Sequence, residues 1–219
     1  MTAASRHSAE PLRIGIDLDN TLACYDAVFA RAAAAAGHVA SADGLSKQDV
    51  RAKLRGLPDG ERHWMALQGQ VYGKLMGEAD LIEGAAAFLN WCRDTGAAVK
   101  IVSHKTEFGH MDPDRVNLRD AARGWLAAKG FFDPDGFALS PDDVHFESTR
   151  EEKVGRIAEF DFDVFIDDLW EVFDEDGFPD QTRQVLLERH GHDVPISSCL
   201  VCRHWDDVRR AVAEWAEAA

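Results

Sequence analysis

Residues 12–26 read LRIGIDLDNTLACYD. An apolar run ends abruptly in two carboxylates, Asp17 and Asp19, set two positions apart. On a strand, residues i and i+2 share a face, so a simple continuation puts the two charges side by side. At about 4 Å and an effective dielectric of about 20 their repulsion is on the order of 4 kcal/mol. Such a pair implies either a turn that splays the two groups or a cation between them.

The same ending recurs further along. The run VKIV is followed by Ser103, and DVFI by Asp167 and Asp168. Strand-like runs at 12–16, 97–103, 144–147, 162–166, 183–188 and 198–202 alternate with helical patterns at 26–37, 82–96, 114–130, 149–160 and 204–219. Strands alternating with helices predict an α/β fold, a Rossmann-like doubly wound parallel sheet covered on both faces. In that architecture ligands bind outside the carboxyl ends of the strands. The polar groups that end three strands therefore converge on one edge. A βαβ unit needs roughly 30 residues, and the span from Asp19 to Ser103 far exceeds it. The surplus, residues 25–80, reads as helices at 46–60 and 61–77 and holds no convincing strand. We expect a helical insertion there, with 1–24 and 81–219 forming the core.

In these motifs the chain resembles the haloacid dehalogenase superfamily of phosphotransferases. DLDNT matches that family's first motif, Asp-x-Asp-x-Thr after an apolar strand. Ser103 matches the second, Lys153 in the helix before the next apolar strand the third, and FIDD the fourth. The resemblance spans residues 12–217 and implies roles. Asp17 is the expected nucleophile, forming an aspartyl-phosphate. Asp19 is the expected general acid and base. Ser103 and Lys153 are expected to bind the phosphoryl group, Lys153 in competition with Arg150 and Arg156. Asp17, Asp167, Asp168 and Asp19 (through its backbone carbonyl) are the expected Mg2+ ligands, with Asp167 the direct one of the acidic pair; hard oxygen donors suit that ion. The insertion occupies the place of a C1-type cap, whose candidate readers of the leaving group are Arg51, Lys53, Arg55, Arg62, His63, Trp64, Tyr72 and Lys74. His104 and Lys105 follow Ser103 and are further candidates for contact with the substrate phosphate. Because a halide leaves without a proton and an alkoxide does not, the second Asp favours phosphomonoester hydrolysis. The alternatives are phosphoryl transfer to another acceptor, as in a mutase, and a non-catalytic phospholigand-binding protein.

Composition bounds the partners. The 219 residues are 46% hydrophobic and 29% charged, with a formal net charge of −15. That balance argues against a nucleic-acid backbone as partner but leaves room for a small phosphorylated metabolite, since charges beyond about 8 Å are screened at physiological salt. No apolar stretch approaches the roughly 20 residues of a membrane span, and the first residues lack a secretion signal, so the cytoplasm is the expected location. The C-x-x-C of Cys199 and Cys202 could serve a metal or redox role, but SCLVC reads as a buried strand with its two thiols on opposite faces. HGH at 190–192, DPDG at 133–136 and DEDG at 174–177 read as turns or solvated loops.

Overall fold

The computed structural model describes residues 10–195 and 198–217. Arg13–Ile16 (β1) stands near the middle of a six-stranded parallel sheet. On one side follow Ala98–His104 (β4) and Val144–Glu147 (β5); on the other Val164–Asp167 (β6), Arg183–Leu187 (β7) and Leu200–Cys202 (β8). The order β5-β4-β1-β6-β7-β8 reverses direction at β1, where Ile14 pairs with Val99 on one side and Val164 on the other. Between them run Ala85–Thr95 (α4), Leu118–Ala128 (α5), Arg150–Phe160 (α6) and Trp170–Phe173 (α7), and Trp205–Glu217 (α8) closes the chain. No helix among the described residues is long and apolar enough to cross a membrane.

The sheet separates two apolar layers. One joins Ile14, Ile16, Ile101 and Ile166 to Phe88 of α4 and Trp205 and Val208 of α8. The other joins Val102, Phe165 and Leu186 to Val154 and Ile157 of α6 and to α7. Burial on both faces is why the strands read as continuous apolar runs. Gly15 has a packing reason. A Cβ built there would lie 2.4 Å from Phe165 Cδ2 and 2.7 Å from the Phe162 ring.

The insertion forms as three helices, Asp26–Ala35 (α1), Lys47–Arg55 (α2) and Gly60–Tyr72 (α3). It joins the core through a two-residue antiparallel ribbon, Ala23–Cys24 (β2) against Asp80–Leu81 (β3). Phe29 stacks on Trp64 at 5.0 Å, and Tyr25 meets Tyr72 edge-on at 4.9 Å. α2 starts at a Ser46–Asp49 capping box, as a Ser-x-x-acid pattern favours.

Two expectations change. β8 is an edge strand, not a buried one: Leu200 and Val201 are 40% and 41% exposed. A short apolar run looks the same at an edge as in the middle of a sheet, because periodicity carries no information about neighbours. α2 ends at Arg55, capped by Gly56, ahead of Pro58. The four cysteines are free, and HGH is a turn in which Glu188 accepts the amides of His190, Gly191 and His192 at 2.6–3.1 Å.

Gly15→Ala tests the packing. Overpacking a close-packed layer costs about 1–3 kcal/mol, or a fall in Tm on the order of 2–12 °C for a chain of this size. An unchanged melting curve would show that Phe162 and Phe165 yield freely.

Candidate active site

β1 ends at Ile16, and the chain then turns. Asp17 donates its amide to Ile166 O at 2.9 Å, which locks it to the end of β6. Leu22 and Ala23 both donate to Leu18 O, and Asn20 takes a positive φ of 63°, a conformation asparagine tolerates better than most residues. Thr21 Oγ1 donates to Asp17 Oδ2 at 3.3 Å. The turn sends the two opening carboxylates to different cations. Lys153 Nζ lies 2.6 Å from Asp17 Oδ1, while Lys105 Nζ lies 2.7 and 3.0 Å from the two oxygens of Asp19. Of the two devices anticipated for the pair the turn is present; instead of one cation between the acids, each meets its own lysine.

Lys153 also lies 2.6 Å from Asp167 Oδ2, so one buried ammonium bridges the ends of β1 and β6. It reaches them from α6, whose start is set by a Thr149–Glu152 capping box. Asp167 Oδ1 accepts the Leu169 amide at 3.0 Å. Burial opposes the charge on Lys153, but Asp167 and Asp17 outweigh it and raise its pKa. Asp167 is pushed up to about 6 by burial, with Lys153 opposing and Asp17 adding to the rise. Asp168 is raised by burial and by the charges of Asp167 and Asp17.

Carboxylate oxygens of Asp17, Asp167 and Asp168 lie within 4.8 Å of one another. Lys153 touches two of these groups, and among the described residues no lysine or arginine reaches Asp168 within 4 Å. Three crowded hard oxygen donors, two of which, Asp167 and Asp168, are held above the usual carboxylate pKa, suit a divalent cation of the Mg2+ type. The Asp19 carboxylate stands outside this trio, occupied by Lys105 and by Tyr25 Oη at 2.7 Å. The carbonyl of Asp19, not its side chain, is the atom expected to face a metal.

Asp17, Asp19, Lys105, Lys153 and Asp168 line a cavity of about 340 Å3 that also takes in Ser103. Ser103 is 1% exposed, and its Oγ has no hydrogen-bond partner among the described residues. Buried hydroxyls are nearly always satisfied, so an unpaired one in a cavity wall marks a place for a ligand atom. His104 stands on the rim, its Nε2 at 3.0 Å from Ser148 O. Lys105 is buried, and its charge is engaged by Asp19 rather than left open. Arg150 lies on the rim, 3.6 Å from Glu175. Arg156 pairs with Glu147 and Glu159, away from the cavity.

Of the insertion's expected readers, Tyr72 lines this cavity and Arg51 a smaller one beside it. Arg55 pairs with Glu61, Lys74 with Asp114, and Trp64 is buried against Phe29. Lys53 and Arg62 are exposed, and His63 sits against His38. Three contributors went unread in the sequence: Tyr25 on Asp19, Lys47 at the start of α2, and Gln68 on α3. For Lys47 there was a signal. A cation in the first turn of a helix opposes the macrodipole, and such a misfit calls for a reason.

No family model and no curated protein matches the sequence. Solved structures do. A hydrolase of the haloacid dehalogenase family from Deinococcus radiodurans R1, crystallised with bound phosphate and sodium, aligns over 93% of this chain and 96% of its own at 18% identity and a TM-score of 0.56. The chain carries the haloacid dehalogenase fold. A haloacid dehalogenase-like hydrolase from Burkholderia xenovorans LB400 aligns over 94% of this chain and 98% of its own, at 14% identity and a TM-score of 0.55. An L-2-haloacid dehalogenase aligns over 93% and 99%, at 14% identity and a TM-score of 0.54. At these identities the likeness is one of fold, and the haloacid dehalogenase fold accounts for the edge on which the acids gather.

The raised Asp167 has a sign that can be measured. The folded chain holds its proton more tightly than the unfolded chain, so this group's stabilising contribution is full below about pH 4 and is lost as pH rises through about 6. In metal-free buffer the loss amounts to about 3 kcal/mol between those limits. Urea unfolding from pH 4 to 7 should show that slope in the wild type and a flatter one in Asp167→Asn. Parallel pH profiles for the two would refute the assignment.

Proposed function

We propose that the chain is a divalent-metal-dependent phosphatase that hydrolyses a small phosphomonoester through an aspartyl-phosphate on Asp17. The reading is carried by one observation: Asp17, Asp19, Ser103, Lys153 and Asp168 border a single cavity in which a buried serine hydroxyl lacks a partner. The divalent ion, held by Asp17, Asp167, Asp168 and the Asp19 carbonyl, supplies positive charge to the phosphoryl oxygens when bound.

The chain's own groups account for the rest. A carboxylate oxygen of Asp17 attacks phosphorus as the bond from phosphorus to the leaving oxygen breaks. Asp19 gives that oxygen its proton. Water then attacks phosphorus, Asp19 takes up the water's proton, the bond to Asp17 breaks, and inorganic phosphate departs. Ser103 Oγ donates to a phosphoryl oxygen, and the Lys153 ammonium offsets charge as it builds there. Tyr25 and Lys105 fix the orientation of Asp19, a group that must serve twice. Residues 25–80 act as a cap, with Tyr72 and Lys47 facing the core across the cavity.

Dehalogenation is the rival within the fold, and a similar structure is a dehalogenase. A departing halide needs no proton. A second acid held in the cavity by two dedicated donors supports an oxygen leaving group instead.

With Mg2+, phosphate release from an aryl phosphate should fall by about 10^4-fold or more in Asp17→Asn and cease on chelation. Asp19→Asn should cost on the order of 10^2–10^4-fold with an alkyl phosphate and far less with 4-nitrophenyl phosphate, whose leaving group needs little protonation. Full activity in Asp17→Asn would end the proposal.

A further inference from the structure

Beside the main cavity lies a second of about 110 Å3, between the start of α2 and the segment after β7. The two share Asn20, Lys47, Asp168 and Leu169, so they are neighbouring chambers with a common wall. At about 30 Å3 per water, the smaller chamber has room for a few waters or for one group the size of a carboxylate or phosphate. Its lining brings three cations together, Lys47, Arg51 and Arg189, beside the His190 ring.

The acids in that lining are mostly spoken for. Asp26 accepts the Lys47 amide at 2.8 Å and faces Arg189 at 3.5 Å. Glu188 accepts three successive amides and the His192 ring at 2.8 Å. Asp168 belongs to the carboxylate trio of the main site. Arg189 answers Asp26. That leaves the Lys47 ammonium and the Arg51 guanidinium with no carboxylate within 4 Å among the described residues. Lys47 is held over aromatic faces instead, 5.7 Å from the Tyr72 centroid and 5.9 Å from that of Phe29. Arg51 lies 5.9 Å from that of Trp64. Aromatic faces hold a cation in position while leaving it unneutralised. Burial opposes the charge on Lys47, yet Tyr72 and Asp168 outweigh it, so the ammonium stays protonated.

We propose that this chamber is a subsite for a second anion, so that the substrate is a phosphomonoester whose leaving group carries a carboxylate or another phosphate, recognised by Lys47 and Arg51. The inference rests on the phosphatase reading above and names the substrate class it takes. The phosphoryl group occupies the main cavity, and the distal anion crosses the shared wall to meet Lys47.

The test uses three esters on one alkyl chain of three to five carbons: the alkyl phosphate, its ω-carboxylate and its ω-phosphate. With Mg2+, kcat/KM for at least one of the two doubly anionic esters should exceed that for the alkyl phosphate by about tenfold to a hundredfold, the range for one charge-assisted contact. Which of the two leads identifies the anion. Lys47→Met should collapse that ratio towards one, Lys47→Arg should keep it, and Arg51→Met should lower it in part. A change in folding alone affects all three esters alike and leaves the ratio intact. Equal kcat/KM for the three esters, or a loss in Lys47→Met that is the same for each, overturns the proposal. Binding reads the chamber without turnover. In Asp17→Asn, the doubly anionic ester should raise Tm more than the alkyl phosphate does, and Lys47→Met should erase the difference. If no ester releases phosphate while that difference persists, the phosphatase reading fails and the anion subsite stands; if the difference is absent, the subsite falls.

Discussion

One ammonium group, that of Lys153, holds the active edge together. The ends of β1 and β6 are adjacent because those strands pair in the sheet, with Ile16 opposite Ile166. Their next residues, Asp17 and Asp167, are therefore forced close while both are buried. Two charges at such range repel by several kcal/mol at an effective dielectric of about 20. Lys153 at 2.6 Å from each converts that repulsion into attraction. Removing one partner from such a buried arrangement costs about 3–5 kcal/mol, so the bridge joins the sheet's switch point to α6 as a structural necessity as well as a chemical one.

The second acid of the opening stretch is handled by a different layer. Asp19 is gripped by Lys105 from the end of β4 and by Tyr25 from the approach to α1. Tyr25 meets Tyr72 edge-on, and Lys105 Nζ lies 4.9 Å from the Tyr72 centroid. Tyr72 thus touches the groups that orient Asp19 and also stands beside Lys47. A tyrosine can fill that place because its face attracts cations without competing for the proton of a carboxylate. The close passage of Gly109 against Gly69, where an added Cβ would come within 2.7 Å of the Gly69 Cα, brings the loop after β4 against α3. The insertion and the core therefore meet at the cavity through small, specific contacts.

Much of this was legible in residue order alone. β1, β4 and β6 announce themselves as apolar runs that stop at polar residues, and a parallel sheet sends all such stops to one edge. Position in the sheet was not legible, which is why Leu200 and Val201 were expected inside and are exposed. The β2–β3 ribbon and α7 are too short to show any period. Nor does local pattern reveal a pairing between residues 86 positions apart, as for Lys105 and Asp19. Lys105 was singled out for its place after Ser103, but its partner is an acid of the protein itself. Lys47 carried a signal in its conflict with the helix dipole, and that signal has meaning only once the fold shows what the lysine faces.

The charge of the chain gives the cavity its last constraint. At −15 overall, the protein carries a surplus of negative charge, and the cleft repeats that surplus locally. Asp17, Asp19, Asp167 and Asp168 outnumber Lys105 and Lys153, which pair with three of them, and Lys47, which lines the same cavity without pairing. On the proposed reading, a divalent cation among the carboxylates would reverse that local sign and make the cleft favourable for a phosphoryl group. Because exposed charges fade within about 8 Å at physiological salt, the local balance and not the total governs entry. On the proposed phosphatase reading the cation would therefore enter before the substrate, because the carboxylates that repel an anionic ligand are the groups that would hold the ion.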